Sequence, residues 1–482
     1  MRKDDLRVFL WPKSVAIVGA SDKPGTWGSF IMEGLLAWKY QGSIYPVNRN
    51  GSSIYGIPSY REVKDIPGQV DLAVVAVPQE GLEETLLACA AKGARGLAII
   101  SAGFSEADEE GREKESRLVD MAARLGVRIL GPNVSGTFNL DAMFNASGSP
   151  AHHLFKSPLA AICQGGYAFY DLLAAGSSHG MGVSWFVHTG NECDLQVTDF
   201  LGLLGDEPKV KGILMYLEEI RQPRRFLDVA TTVSQEKPIL VFKAGSTPVG
   251  ARAARSHTGA LSGNQAIYLG AFRQTGVMLC PTIELLLSIG HSLVERPLMA
   301  SNRVGIMTMG GSWGVSLSDE LEKNGILVPE LSPGLQGRLR DLGMPRRAST
   351  KNPVDIGAAG ISYHLAPDNV VQMGREILCS GEVDGLVFHG LGRPGMASER
   401  AADRARGVFL AVEVKIMREI QALERELGKP VLVGCCLSPW ESQAVWDLNQ
   451  EGIRTYQRLD EIALTFSILH QRNQYLLSRS RH

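Results

Sequence analysis

No apolar stretch approaches the roughly twenty residues that cross a bilayer, so no membrane-spanning role is expected. Cysteine is sparse and scattered: of 7, only Cys435 and Cys436 are adjacent, which leaves neither a disulfide framework nor a zinc spacing. Reduced thiols in a cytoplasmic protein are the expectation. Charge of one sign is also missing. A formal net charge of -2 disfavours a nucleic-acid partner, because tracking phosphates needs a clustered basic excess. A small anionic ligand is not excluded, since a few local donors suffice for it. In MRKDDLRVFLWPKSVAIVGA the charges are interleaved, and the apolar run ends in a Gly/Ser turn, so no secretory signal is expected.

What is present is a repeated unit: a short β-branched run, a Gly-rich turn, then an amphipathic helix. With 482 residues there is room for two to four domains. The first third offers the strands SVAIVGA, GSIYPVN, DLAVVAV, GLAIISAG and VRILGPN, and so predicts a Rossmann-like domain over residues 1–142. The polar stretch Asn145–Pro158 reads as a linker. PLAAICQGG, GVSWFVHTG, VKGILMYLE and KPILVFKAG predict a second parallel α/β domain over 155–295. VGIMTMGG, GLVFHGLG and KPVLVGCC predict a third over 300–482, with the charged helical stretch Ala402–Leu427 packed on its sheet.

Several strand ends bear ligand-binding residue types. The first runs into GASDKPGTWG, where Gly19, Ala20, Ser21, Gly25 and Gly28 form a glycine-rich turn able to present N–H groups to a phosphate. A nicotinamide site wants an acidic residue after the second strand, but Val47, Asn48 and Arg49 stand there. The 3′-phospho-ADP of CoA remains open. Val77 and Pro78, then Ser101, Gly103 and Phe104, then Asn133 end further strands; each is common turn chemistry, and together they form a groove. CQGGY, with Gln164, Gly165 and Gly166, and TMGGSW, with Gly310 and Gly311, have the form of anion nests at helix starts. In GARAARSHTGALSG, His257 sits among small residues with Arg252 and Arg255 close by. Such a loop can approach another backbone closely, and its arginines can neutralise an anion.

These motifs, in this order from Leu10 onward, resemble the α subunit of ADP-forming (NDP-forming) acyl-CoA synthetases, and more distantly that of succinyl-CoA synthetase. The segment around His257 is the most specific part. The resemblance implies a Rossmann-like CoA-binding domain followed by two flavodoxin-like parallel α/β domains. It implies that acyl-CoA and phosphate give an acyl phosphate and CoA, that His257 takes the phosphoryl group with Glu218 orienting it, and that ADP receives it. ADP/ATP and Mg would sit on an ATP-grasp β subunit, for which three sheets leave no room here, so a hetero-oligomer or a homodimer is expected. An organic acid, a CoA thioester and phosphate are the implied small ligands, with no metal on this chain. The usual Ser-Gln-Ser-Gly-Ala is CQGGY here, Asn-Gly-Gly-Gly-Pro is MGGSW, and GPNC is GPNV with Val134. Those departures keep open a non-catalytic CoA-binding or acyl-CoA-sensing protein.

Overall fold

The computed structural model describes residues 3–149, 154–177, 179–250, 252–253, 265–357, 366–392 and 403–480. The chain divides into two compact units, Met1–Val294 and Glu295–His482.

The first unit opens with a parallel sheet of β1 (Ser14–Val18), β2 (Ser43–Val47), β3 (Leu72–Val75), β4 (Gly96–Ile99) and β5 (Arg128–Leu130), ordered β2-β1-β3-β4-β5. These strands are apolar throughout their centre because helices cover both faces. Val15, Ile17, Leu72 and Val74 face one side, and Ala16, Val18, Ala73 and Val75 the other, the period-two pattern of a strand. The second set packs on Leu82 and Leu86 of helix Leu82–Ala91 and on Leu118 and Ala122 of helix Glu109–Leu125. The latter starts where the Asp108 carboxylate accepts the Gly111 N–H at 2.8 Å, and stops at Gly126, whose φ of 70° is left-handed.

A second sheet holds β6 (Gly136–Asn139), β7 (Phe144–Ser147), β8 (Leu159–Cys163), β9 (Trp185–His188), β10 (Gly212–Leu217), β11 (Ile239–Lys243) and β12 (Val277–Leu279). Its order is β12-β11-β10-β8-β9-β6-β7, and the β6–β7 hairpin runs antiparallel at the edge. The α/β class holds, and β8–β12 run parallel as expected for 155–295; the antiparallel hairpin precedes that range. One expectation needs correcting: the supposed linker from Asn145 begins inside β7. The polar residues misled because each is buried with a partner. Thr137 Oγ1 donates to the Phe9 carbonyl at 2.7 Å, Asn139 Nδ2 to that of Leu10 at 3.1 Å, and Ser147 Oγ to Asn145 Oδ1 at 2.7 Å. One apolar cluster runs from Val15 and Ile17 through Trp185 and Phe200 to Met215 and Val241, so both sheets share a core. Each such side chain contributes about 1.5–3 kcal/mol on burial.

The second unit has a parallel sheet of β13 (Val304–Thr308), β14 (Val354–Asp355), β15 (Gly385–His389), β16 (Val431–Gly434) and β17 (Thr455–Tyr456), ordered β14-β13-β15-β16-β17. Helix Asp403–Leu427 covers it as expected: Met417, Ile420 and Leu423 cluster with Leu386, Phe388 and Val433. The Arg296–Glu424 pair, 2.8 Å apart, fixes the helix end, and Glu424 also accepts the Val431 N–H at 2.9 Å. Among the described residues no helix is long and apolar enough to cross a membrane.

The five parallel strands of each sheet share one winding: the chain steps from the first strand to a neighbour on one side, then crosses back and adds the remaining strands on the other side. In such sheets ligands bind beyond the carboxyl ends of the strands, near the switch in strand order.

Candidate active site

Within the first unit the carboxyl ends of both sheets open onto one cavity of about 790 Å³. The first sheet supplies Ala76 after β3, Ile100, Ser101 and Ala102 after β4, and Asn133, Val134 and Ser135 after β5. The second supplies Gln164, Gly165 and Gly166 after β8, His188 at the end of β9, Tyr216 and Glu218 from β10, and Ala244 and Gly245 after β11. Gly250 and Ala253, from the segment that leads to His257, also line it. His257 itself lies outside the described residues.

The loop after β8 is held on all sides. Gln164 was expected to bind phosphate, but its side chain braces a strand end. Its Oε1 accepts the N–H groups of Glu218 at 2.6 Å and Glu219 at 3.0 Å, and its Nε2 donates to the Glu219 carbonyl at 2.9 Å. Gly165 and Gly166 lead into helix Tyr167–Ser177, and neither N–H has an acceptor among the described residues. Two such donors at a positive helix end make an anion site. Gly166 must be glycine: a Cβ there would lie 2.4 Å from Ser135 Oγ and 2.7 Å from His188 Nδ1. A Cβ at Gly165 would meet Glu218 Oε1 at 3.5 Å, so the buried Glu218 carboxylate flanks the first glycine and the Ser135–His188 pair the second.

Burial, with the Glu218 charge as a smaller cause, pushes the Tyr216 hydroxyl up to about 12. Lys243, at the end of β11, donates to the carbonyls of Glu218 at 2.8 Å and Ala244 at 2.6 Å, and its burial lowers the ammonium pKa. Neither residue stood out in the sequence, although a lysine ending the apolar run ILVFK was a usable signal. Trp27 and Tyr167 were also missed; they line the cavity with ring centroids 6.4 Å apart.

Of the residues expected to bind CoA, Ser101 and Asn133 line this cavity, and the Asn133 N–H donates to the Ser101 carbonyl at 3.0 Å. Gly19, Ala20, Ser21, Gly25 and Gly28 form the turn after β1. Val47 accepts the N–H groups of Gly19 and Ala20 at 3.0 and 3.1 Å, and Asn48 Nδ2 donates to the Ala20 carbonyl at 2.8 Å. Val77 and Pro78 follow Ala76 on the same sheet edge, where the Ser101 hydroxyl donates to the Val77 carbonyl. Gly103 adjoins them. The Phe104 side chain does not reach the groove: it is 1% exposed and belongs to the core with Leu82 and Leu118.

Gly310 and Gly311 belong to the second unit and start helix Gly311–Lys323. A Cβ on Gly311 would lie 3.1 Å from Asp355 Oδ2, and Asp355 Oδ1 is buried without a partner among the described residues. This helix start therefore already faces a carboxylate, which its dipole favours. Among the described residues no group of three or more His, Cys, Asp or Glu is placed to hold a metal ion.

Beside the cavity, Glu192 is 2% exposed; its Oε1 accepts from Thr189 Oγ1 at 2.9 Å and from the Val197 N–H at 3.0 Å, while Oε2 has no partner among the described residues. Burial raises its pKa from 4.5 to about 7. The unfolded chain gives up this proton near pH 4.5 and the folded chain near 7, so between these values the fold binds the extra proton and loses stability as pH rises. Glu192→Gln keeps the Oε1 acceptor and removes the charge. It is expected to stabilise the protein at pH 8 by up to about 3 kcal/mol and to change it little at pH 5. Urea unfolding at both pH values measures this, and a gain independent of pH would refute it.

Comparison with known proteins follows the same division of the chain. Residues 13–138 match the model of a CoA binding domain, and residues 156–293 that of the succinyl-CoA ligase like flavodoxin domain. The chain is 36% identical over 461 residues to the Pyrococcus furiosus ADP-forming acetate–CoA ligase II subunit alpha, covering 95% of this chain and 96% of that one. It is 35% identical over 355 residues to the ADP-forming acetate–CoA ligase of Methanocaldococcus jannaschii, covering 74% of this chain but only 49% of that longer one. Its structure is similar to the dinucleotide forming acetyl-coenzyme A synthetase 1 of Ca. Korarchaeum cryptofilum, solved in complex with phosphate and ADP. The TM-score is 0.84 at 31% identity, with 99% of each chain covered.

Proposed function

This chain belongs to the α-subunit family of the ADP-forming acetate–CoA ligases, and from that premise we propose that it interconverts an acyl-CoA, ADP and phosphate with a carboxylic acid, CoA and ATP through a phosphohistidine. CoA lies along the carboxyl edge of the first sheet, from the Gly19–Gly28 turn to Ser101 and Asn133, and ends in the shared cavity. A phosphate oxygen attacks the thioester carbonyl there, the C–S bond breaks, and CoA leaves as the thiol. The acyl phosphate is held on the N–H groups of Gly165 and Gly166. The His257 imidazole then attacks phosphorus, the P–O bond breaks, and the carboxylic acid departs. Glu218 holds the ring and offsets the positive charge it gains. A β subunit with an ATP-grasp fold brings ADP and its Mg; the match to half of a longer ligase supports a missing half.

One observation carries this reading: CoA-side residues, an anion loop, Glu218 and the rim of the His257 segment share a single cavity. Incubated with the β subunit and γ-labelled ATP, the chain is expected to acquire an acid-labile, alkali-stable phosphate that His257→Ala abolishes. Equal labelling of the variant would reject the phosphohistidine. Binding of CoA with no labelling under any partner condition would instead support a thioester sensor.

The acyl group must sit near Gly165 and Gly166, where Trp27 and Tyr167 stand. Tyr167 is 67% exposed, so Tyr167→Ala is expected to leave stability within about 0.5 kcal/mol. The same substitution is expected to change the ratio of kcat/KM between aromatic and short aliphatic acyl-CoA substrates by about three- to tenfold. An unchanged ratio places the acyl group elsewhere.

A further inference from the structure

His188 is fixed by backbone groups on both of its ring nitrogens. The Ser135 N–H points at Nδ1 from 2.7 Å, and a nitrogen that accepts from an amide carries no proton. On the other side Nε2 lies 2.9 Å from the Gln164 carbonyl, which can only accept. Together they allow one arrangement: a neutral ring with its hydrogen on Nε2, donating to Gln164. The Nδ1 side is further fixed by the Ser135 hydroxyl at 2.8 Å, into which the Tyr170 hydroxyl donates, also at 2.8 Å. Ser135, Tyr170 and His188 are 2%, 4% and 8% exposed, so water competes little for these bonds.

The Gln164 carbonyl and the Gly165 N–H belong to one peptide plane and point in opposite directions. A ring that holds the carbonyl therefore sets the direction of the N–H. That N–H, with the next one at Gly166, is the donor pair lacking an acceptor among the described residues. The loop itself has no serine or threonine hydroxyl: it reads Cys163, Gln164, Gly165, Gly166 before Tyr167 opens the helix. Cys163 is fully buried at the end of β8, and burial raises its thiol pKa far above the ordinary value.

We propose that His188 is a positioning residue for the phosphoryl group: its neutral Nε2–H tautomer, braced by Ser135 and Tyr170, holds the Gly165–Gly166 donors in place for the anion. This deepens the phosphate-loop reading above and rests on it. Preorganised amides need no further ordering when the anion arrives, which is how a loop without serine or threonine hydroxyls keeps its affinity.

Glutamine and asparagine separate the two ring nitrogens. His188→Gln places an amide donor near the position of Nε2, and His188→Asn keeps only an acceptor near that of Nδ1. Inorganic phosphate, titrated against the full-length chain with thermal unfolding as the readout, is expected to bind His188→Gln within about threefold of the native affinity. It is expected to bind His188→Asn about tenfold or more weakly. CoA, titrated the same way, should stabilise all three equally. With the β subunit present, His188→Asn should raise the KM for phosphate and leave that for CoA unchanged. Equal phosphate affinity in the two variants, whether retained or lost, overturns the proposal. A native chain that phosphate does not stabilise overturns the loop reading as well, which keeps the two failures distinct. Nitrogen-15 spectra of histidine-labelled native protein supply a test that needs no variant: a protonated His188 Nδ1 would overturn the assignment.

Discussion

Glu218→Gln is expected to lower turnover by a factor on the order of 10³, with CoA affinity and stability close to native. The substitution is nearly isosteric, and what holds this strand end is the main chain. Gln164 Oε1 accepts the N–H groups of residues 218 and 219, and Lys243 donates to the carbonyl of 218. These bonds survive, so a large loss cannot come from unfolding. The change removes a negative charge, 6% exposed, from the cavity wall. An imidazole that takes a phosphoryl group gains positive charge, and an amide does not balance it. Labelling of His257 should fall in parallel with turnover. A second readout is local to the charge. The Tyr216 hydroxyl stands up to about 12 mainly through burial and partly through the Glu218 charge. Removing that charge should lower its pKa, detectable by ultraviolet titration of tyrosinate. Native turnover with a lowered tyrosine pKa would show that the carboxylate is present in the cavity but takes no part in the chemistry.

The sequence was informative where a contact is local and poor where it is not. Strands such as SVAIV and DLAVV announce themselves because both faces are apolar, and the glycine turns after them because few other residues fit a chain reversal. The winding then carries these turns to one edge, so Ser101, Asn133, Gly165 and Gly166 meet without any further signal. The β6–β7 hairpin was illegible for the opposite reason. Its Thr137, Asn139, Asn145 and Ser147 are polar, and only their partners, Phe9 and Leu10 among them, make burial tolerable.

The pairs that line the cavity follow the same rule. Ser135 and His188 are 53 positions apart, and Gln164 and Glu218 are 54 apart. Gln164 looked like a ligand because it sits in a glycine loop, yet its amide is committed to a neighbouring strand. Asp355 gave no sign that it would stand against Gly311. Had it been visible, the second glycine loop would have read as a helix start already supplied with an anion, and a phosphoryl group brought to it would need a cation to offset that carboxylate.

Gly28→Ala is the second large effect. A Cβ at this position would lie 2.1 Å from the Gly19 carbonyl oxygen, 2.9 Å from Ser21 N and 3.1 Å from Ala20 C. All three are backbone atoms, so no side chain can swing aside. The turn cannot retreat either: a Cβ on Gly19 would itself lie 2.5 Å from the Ala76 carbonyl oxygen, and Val47 holds the N–H groups of Gly19 and Ala20. Helix Trp27–Ala37 must therefore move out or the turn must open, at a cost of about 3 kcal/mol, and either displaces the donors proposed for CoA. CoA affinity is expected to fall by a factor of about 100 or more. Gly25→Ala is the matched control. Its φ of 83° strains an alanine by about 1–2 kcal/mol, but nothing lies within 4 Å of the added carbon, so CoA affinity should change far less. Trp27, next to Gly28, is a ready fluorescence probe for the titration. If both alanine variants bind CoA alike, the pinched contact between Gly28 and Gly19 does not shape the CoA site, and the nucleotide end of CoA must lie on another part of this sheet edge.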